Sequence, residues 1–270
     1  DREYRVMKAL EATNVAVPKM RHLCEDDSII GTSFFVMDFL EGRIFRDARL
    51  PDLQPAERSA VYDAMNDMLA KLHKVDYKSV GLESFGRPGN YYERQIKRWT
   101  KQYRDAQTEL IPEMESLIER LPARIPQDDT VTIAHGDYRL ENMIFHPQEP
   151  RVLAILDWEL STLGHPLADL GYNCFLWHSK SESWGTLDGI DLKASGIPSE
   201  AEYVDAYLAR MGQGKIDDWN FYLSFAVFRL ASISQGVFRR AQMGIVPRET
   251  ELINGAPDLS KTALMLLDRD

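Results

Sequence analysis

Cysteine is scarce in this chain of 270 residues, with Cys24 and Cys174 the whole supply. They stand far apart and share no metal-binding spacing, so neither a disulfide scaffold nor a thiolate metal site is expected. No apolar run of about 18 residues occurs, and the N-terminal segment carries no signal-peptide core. Together these absences predict a reducing, cytoplasmic setting and no membrane partner. Basic excess is missing too: 32 Lys and Arg face 42 Asp and Glu, a net charge of −10. A nucleic-acid partner is therefore not expected, because such surfaces are basic. Neither glycine-rich phosphate loop, G-x-G-x-x-G or G-x-x-x-x-G-K-[ST], is found. No repeat, low-complexity tract or linker separates two foldable halves.

What the chain does contain is a segment dense in oxygen donors. His135-Gly136-Asp137-Tyr138-Arg139-Leu140-Glu141-Asn142 is followed by Ile155-Leu156-Asp157-Trp158. Mg²⁺ prefers hard oxygen ligands, so Asn142 and Asp157 are the candidate metal ligands. A hydroxyl nucleophile needs a carboxylate to orient it and take its proton, and Asp137 is the candidate base. Residues 143–145, a turn at 146–151 and residues 152–156 read as a short hairpin. Its midpoint near Glu149-Pro150 predicts that facing residues sum to about 299, which sets Asn142 opposite Asp157 at the open end. Taken singly, Asp137 and Asn142 are ordinary turn-formers and Asp157 an ordinary helix cap. Order, spacing and register together favour phosphoryl transfer from ATP.

Around this segment the periodicity is mainly helical. Residues 2–12 carry Val6, Met7 and Leu10 at helical spacing. Pro18 and the polar run at 25–28 bound a linker with an extended piece, and 29–40 alternates into a strand pair turning near Gly31. Pro55 opens a helix through Lys74 with Val61, Met65, Met68, Leu69 and Leu72 on one face and His73 packed beside them. Another helix spans 91–109, with Tyr92, Ile96, Trp99 and Tyr103 as its core stripe, and Pro112 and Pro122 bracket a shorter one. Beyond the hairpin, 167–177 and 199–211 read as helices on either side of a Gly/Ser-rich loop at 178–198. A longer helix at 217–242 is apolar all round in its first half, which marks a central core helix, with Gly236 allowing close packing. The final helix lies at 259–268.

The loop at 135–142 resembles the protein-kinase catalytic loop H-R-D-x-x-x-x-N, with Gly136 in second position, and Asp157-Trp158 stands where kinases carry Asp-Phe-Gly. Leu69-Ala70-Lys71-Leu72-His73 and Gly164-His165-Pro166-Leu167-Ala168-Asp169-Leu170 extend the likeness over essentially the whole chain. It resembles the aminoglycoside phosphotransferase-like family, small-molecule kinases that share the protein-kinase-like fold. Gly42-Arg43-Ile44-Phe45-Arg46-Asp47 and Arg94-Gln95-Ile96-Lys97-Arg98-Trp99 are most similar to the branch whose kinase domains can be fused to acyl-CoA dehydrogenases. The resemblance implies an α+β, two-lobed fold. A truncated N-lobe at 1–40 would hold a helix and hinge strands, and a mainly helical C-lobe at 41–270 would carry the catalytic loop and the metal-binding hairpin.

The same resemblance assigns further roles. The backbone carbonyl of Asp38 and the N–H of Leu40 would pair with an adenine edge at the interlobe hinge; the other reading is a buried strand ending at a glycine turn. His135 and Asp169 are supporting residues, one fixing the loop and the other bracing it through backbone N–H groups. Glu3 matches the helical glutamate that pairs with a phosphate-holding lysine, or else is a solvated helix residue. That lysine and the loop that covers the phosphates are expected upstream of Asp1, in a segment missing from this sequence. Arg139 reads as a phosphate ligand or a salt-bridged arginine, and Glu159 and His165 lie near the metal in sequence only.

The implied reaction uses ATP and Mg²⁺ and moves the γ-phosphate to a hydroxyl of a small molecule. The acceptor would be a hydroxyacyl-CoA or related hydroxy acid by the closer likeness, and an aminoglycoside, choline-like amine or sugar by the wider one. Two alternatives remain: a non-catalytic nucleotide-binding kinase remnant, and an interaction scaffold that binds no nucleotide.

Overall fold

Polar and apolar residues alternate too briefly in this chain to build a large sheet, and helices far outweigh strands. The computed structural model describes residues 1–181, 185–245 and 253–269, so 182–184 of the expected loop lie outside the described residues. Its contacts group the chain into two units, Asp1–Pro88 with Val131–Lys215, and Gly89–Thr130 with Ile216–Asp270.

In the first unit, α1 (Arg2–Leu10) buries Val6, Met7 and Leu10. The guanidinium of Arg2 donates to the carbonyls of Phe85 and Ser161, which ties the start of α1 to two distant loops. The strand pair expected within 29–40 is not formed there. Instead β1 (Met20–Cys24) pairs antiparallel with β2 (Phe34–Met37), Leu23 facing Phe35 and Cys24 facing Phe34. The reason is local: the Asp26 carboxylate accepts the Ser28 N–H and Asp27 O accepts the Gly31 N–H, turning the chain where Ile29 and Ile30 stay 60% and 61% exposed. Gly31, with φ of +88°, belongs to this connection and not to a two-residue hairpin.

The long helix α2 (Pro55–His73) starts at a capping box in which Gln54 and Glu57 serve each other's backbone, with Pro55 at its first turn. Its stripe Val61, Met65, Met68, Leu69 and Leu72 is buried. Three two-stranded ladders complete the β content of the described residues, the other two being β3 (Thr132–Ala134) with β6 (Thr162–Gly164) and β4 (Met143–Phe145) with β5 (Val152–Ile155). Every residue of α5 (Pro166–Cys174) is buried. A short helix α6 (Leu192–Ser195) precedes α7 (Glu200–Met211), which Ser199 and Glu202 cap reciprocally. Buried hydrogen bonds stitch these pieces: Tyr138 O–H to Met65 O at 2.7 Å, Asn66 Nδ2 to Tyr203 O at 2.8 Å, and Tyr203 O–H to Asn173 Oδ1 at 2.7 Å.

The second unit is built from α3 (Tyr91–Ala106), α4 (Pro112–Arg120), α8 (Trp219–Gln242) and α9 (Ala256–Leu267). Its interior is aromatic. The ring of Tyr92 meets Phe225 at 5.0 Å, Phe221 at 5.1 Å and Tyr222 at 5.5 Å, all edge to face, an arrangement that satisfies the ring quadrupoles. By length and apolarity α8 could cross a membrane, yet 83% of its most apolar window is buried within the protein. Gly236 does not mark a close helix approach. A Cβ there would meet only the Arg240 guanidinium at 3.4 Å and the Gln102 amide at 3.6 Å, the ends of long side chains.

Candidate active site

β3 delivers the chain into His135-Gly136-Asp137, and glycine is required in the middle. Gly136 has φ of +84°, and a Cβ on it would sit 2.6 Å from the Leu160 carbonyl oxygen. Asp169, on α5, accepts the N–H of His135 at 2.6 Å and the N–H of Gly136 at 2.8 Å. His73 Nε2 stands 3.3 Å from the same carboxylate, and its Nδ1 bonds the Tyr207 hydroxyl at 2.7 Å. Burial pushes the Asp169 carboxyl up, but His73 and the Gly136 N–H outweigh it and hold the group below its ordinary range. A buried, ionised carboxylate thus clamps two consecutive amides of the loop.

The His135 ring is fully enclosed. Its Nε2 donates to the Leu156 carbonyl at 2.9 Å, its Nδ1 accepts the Asp137 N–H at 3.1 Å, and Trp158 packs against it at 4.6 Å. One nitrogen donating and one accepting is the neutral tautomer, in agreement with burial depressing its pKa below 6.5. The charges of Asp169, Asp137 and Asp157 all act on this ring, which places the candidate base and a candidate metal ligand about one buried imidazole.

Both oxygens of Asp137 are held. Oδ1 accepts the Tyr172 hydroxyl at 2.5 Å, and Oδ2 accepts Asn142 Nδ2 at 2.8 Å. The same amide nitrogen also donates to the Asp137 carbonyl at 2.9 Å. With its nitrogen so engaged, Asn142 presents an Oδ1 that accepts no hydrogen bond among the described residues. Tyr172 was not foreseen from the sequence, although it stands three residues beyond Asp169 on one helix face, a spacing that could have disclosed it.

The hairpin register differs from the expected one by a residue. Met143 faces Ile155 and Ile144 faces Ala154, while a bulge brings Phe145 opposite Val152. Asn142 therefore faces Leu156, whose N–H its carbonyl accepts at 2.8 Å, and Asp157 lies one step beyond the ladder. A one-residue offset would send Asp157 to the opposite face of a regular strand. Here the strand has ended: Asp157 adopts φ of +63°, and Trp158 turns back to donate its indole N–H to Ile155 O at 3.0 Å. Asp157 stays exposed, and its carboxylate makes no ion pair among the described residues. An amide oxygen and a carboxylate without protein partners form a donor set suited to a hard divalent cation.

Glu3 reaches this region from α1. Partial burial and the charges of Asp157 and Glu159 raise its pKa, while the Trp158 N–H, which it accepts, pulls the other way. The N-terminal charge also acts on Glu3, in the lowering direction. Arg139 is salt-bridged to Glu141, and a hydrogen bond with Tyr172 helps to keep it charged. His165 instead caps α5, its Nδ1 accepting the Leu167 N–H at 3.2 Å.

Along the proposed hinge, the Asp38 N–H donates to Lys19 O and its carboxylate grips the Arg21 guanidinium at 2.5 and 2.8 Å. No described residue takes up the Asp38 carbonyl or the Leu40 N–H, and Phe39 between them is 92% exposed. The chain then straps onto the hairpin, Arg43 exchanging both backbone hydrogen bonds with Phe145 at 2.8 Å. Gly42 is needed for this passage, since a Cβ would come within 2.3 Å of the Phe145 carbonyl oxygen.

Comparison with known proteins gives concordant results. A profile described as the phosphotransferase enzyme family matches residues 1–216. Mouse acyl-CoA dehydrogenase family member 10 is 49% identical over 247 residues, covering 90% of this chain and 23% of that protein. Human family member 11 is 42% identical over 273 residues, the whole of this chain and 35% of its own length. The chain thus spans a quarter to a third of these curated relatives. A crystal structure from Ralstonia eutropha, provisionally called an aminoglycoside phosphotransferase, is 49% identical with a TM-score of 0.94, covering 99% of this chain and 82% of its own. Distant phosphotransferases share the fold, among them a spectinomycin phosphotransferase bound to ADP and spectinomycin, at 11% identity and a TM-score of 0.61 over 98% of this chain and 81% of that one. The α+β architecture is accordingly kinase-like.

Proposed function

Because the chain belongs to the phosphotransferase enzyme family, we propose that it transfers the γ-phosphate of ATP to a hydroxyl group of a small molecule, with Asp137 as base. The observation that carries this reading is the double restraint on Asp137. Asn142 and Tyr172 hold its two oxygens while Asp169 fixes the loop beneath it. A carboxylate so fixed can orient an acceptor hydroxyl toward phosphorus and receive its proton without first reorganising. Asn142 Oδ1 and Asp157 would hold Mg²⁺, which when bound neutralises the phosphate oxygens. Glu3 would pair with a lysine beside those phosphates, and Asp38 O with Leu40 N–H would receive the adenine edge. That the Asp38 carbonyl and the Leu40 N–H have no partner among the described residues, and the ADP found in a distant relative, support nucleotide use.

A hydroxyacyl-CoA or related hydroxy acid is the preferred acceptor class. The likeness to acyl-CoA dehydrogenase family members supports it over an aminoglycoside-like compound. A cytoplasmic setting is part of this proposal, on the scarcity of cysteine in the sequence.

The test is Asp137→Ala in the full-length protein. Turnover should fall by about a thousandfold or more, while stabilisation by ATP with Mg²⁺ in a thermal-shift assay survives. Undiminished turnover removes Asp137 from the chemistry. Nucleotide-dependent stabilisation without any turnover in the wild type would point instead to a binding module.

A further inference from the structure

The helix α1 has an inner side and an outer side. Val6, Met7 and Leu10 are packed within, and Glu3 lies on that same side, within reach of the Asp157 charge. Arg5 stands about 200° around the helix from Glu3. Tyr4, Arg5 and Lys8 share the outer side at helical spacing. There α1 does not simply meet solvent. With Leu23 of β1 and Val80 and Leu82 from the loop after α2, it walls a cavity of about 430 Å³, a size that suits a small molecule.

Most of the lining is apolar, supplied by Ala9, Leu23, Val80 and Leu82. One charge on it is unbalanced. Lys8 is paired with Glu11 at 2.9 Å, whereas Arg5 meets no carboxylate among the described residues. Its Nη2 donates only to neutral oxygens, Ser84 Oγ at 2.6 Å and Gly81 O at 3.4 Å. Both bonds run from α1 to the facing loop and hold that wall in place, and they leave Nε and Nη1 uncommitted. A guanidinium with donors to spare beside an apolar recess fits a carboxylate carried on a hydrocarbon body. Asp1 on the rim weighs against a doubly charged phosphate.

We propose that this cavity binds an amphiphilic monocarboxylate, with the acid group on Arg5 and the hydrocarbon part against Ala9, Leu23 and Leu82. Nothing in this requires Asp137 to be a base, so the site stands or falls apart from the proposed reaction.

Isothermal titration of the full-length protein with octanoate tests it. Octanamide is the uncharged control, and acetate the control without an apolar body. Octanoate should bind saturably, and each control at least tenfold more weakly, roughly the value of a charged hydrogen bond or of a few buried methylenes. Arg5→Gln and Ala9→Leu, which fills the recess, should each weaken octanoate about tenfold. Lys101→Gln, an exposed cation on α3 in the second unit, should leave its affinity unchanged. Arg5 is exposed, so its variant should keep a wild-type melting temperature and decides the matter alone if Ala9→Leu fails to fold. Absence of saturable octanoate binding, equal affinity for either control, or an affinity unchanged in Arg5→Gln overturns the site.

Discussion

All six histidines and both cysteines of the chain fall in the first unit, and none in the second. The contrast extends to how each interior is held. The first unit buries His73, His135, Asp169 and Asn173 and gives each a specific hydrogen-bond partner. The second leans more on rings, with Tyr92 meeting three aromatic neighbours from α8, and its buried Gln235 and Ser224 bond mainly to backbone carbonyls. Apolar packing tolerates small shifts, whereas a buried polar network is worth having only if complete. A carboxylate that must be aimed within fractions of an ångström therefore belongs in the first kind of interior.

Removing the buried charge should open the widest gap between the units. Asp169→Ala leaves two loop amides and His73 without their acceptor and should cost about 3–5 kcal/mol. Denaturant unfolding measures it, and hydrogen exchange should show the loss at residues 131–174 while α8 keeps its protection. Equal loss in both units would erase the distinction. A gentler probe is Tyr172→Phe, which deletes one hydroxyl from Asp137. A hydrogen bond to a charged group contributes about 1.5–3 kcal/mol, so kcat should fall by roughly tenfold or more with the KM for ATP unchanged. A shifted KM at constant kcat would mean that Tyr172 shapes binding instead.

The smallest effect is that of pH. His135 is held below its ordinary 6.5, so below that value the unfolded chain binds a proton that the folded chain refuses. Stability of the first unit should decline as pH falls, at up to about 1.4 kcal/mol per pH unit. Asp169 adds to the decline only beneath its ordinary 3.8, while the raised Glu3 opposes it by taking up a proton early in the folded state. Without a histidine, the second unit should keep its amide protection between neutral pH and about pH 5. Parallel loss in both would show that the units unfold together.

The sequence disclosed most where a single period repeats. Val61 through Leu72 marks α2 almost to the residue, and Tyr92, Ile96, Trp99 and Tyr103 mark α3. It disclosed less where geometry depends on an odd residue. The bulge between Ile144 and Phe145 leaves no trace in residue type, and the register inferred from the turn's midpoint was one residue out. β1 was blurred because Arg21 and His22 are polar and exposed, so only its ends look like a strand. The pairing of Asp169 with the 135–136 amides joins residues over thirty positions apart, and a family likeness had to supply what spacing could not.

At Asp157 the backbone takes a left-handed turn that glycine would accept more readily than any side chain. The bend itself does not call for a carboxylate there, so substitution by glycine should leave the turn comfortable and strip away only the charge. Asp157→Gly thus offers something rare at such a position, a deletion of chemistry with the architecture relaxed rather than injured.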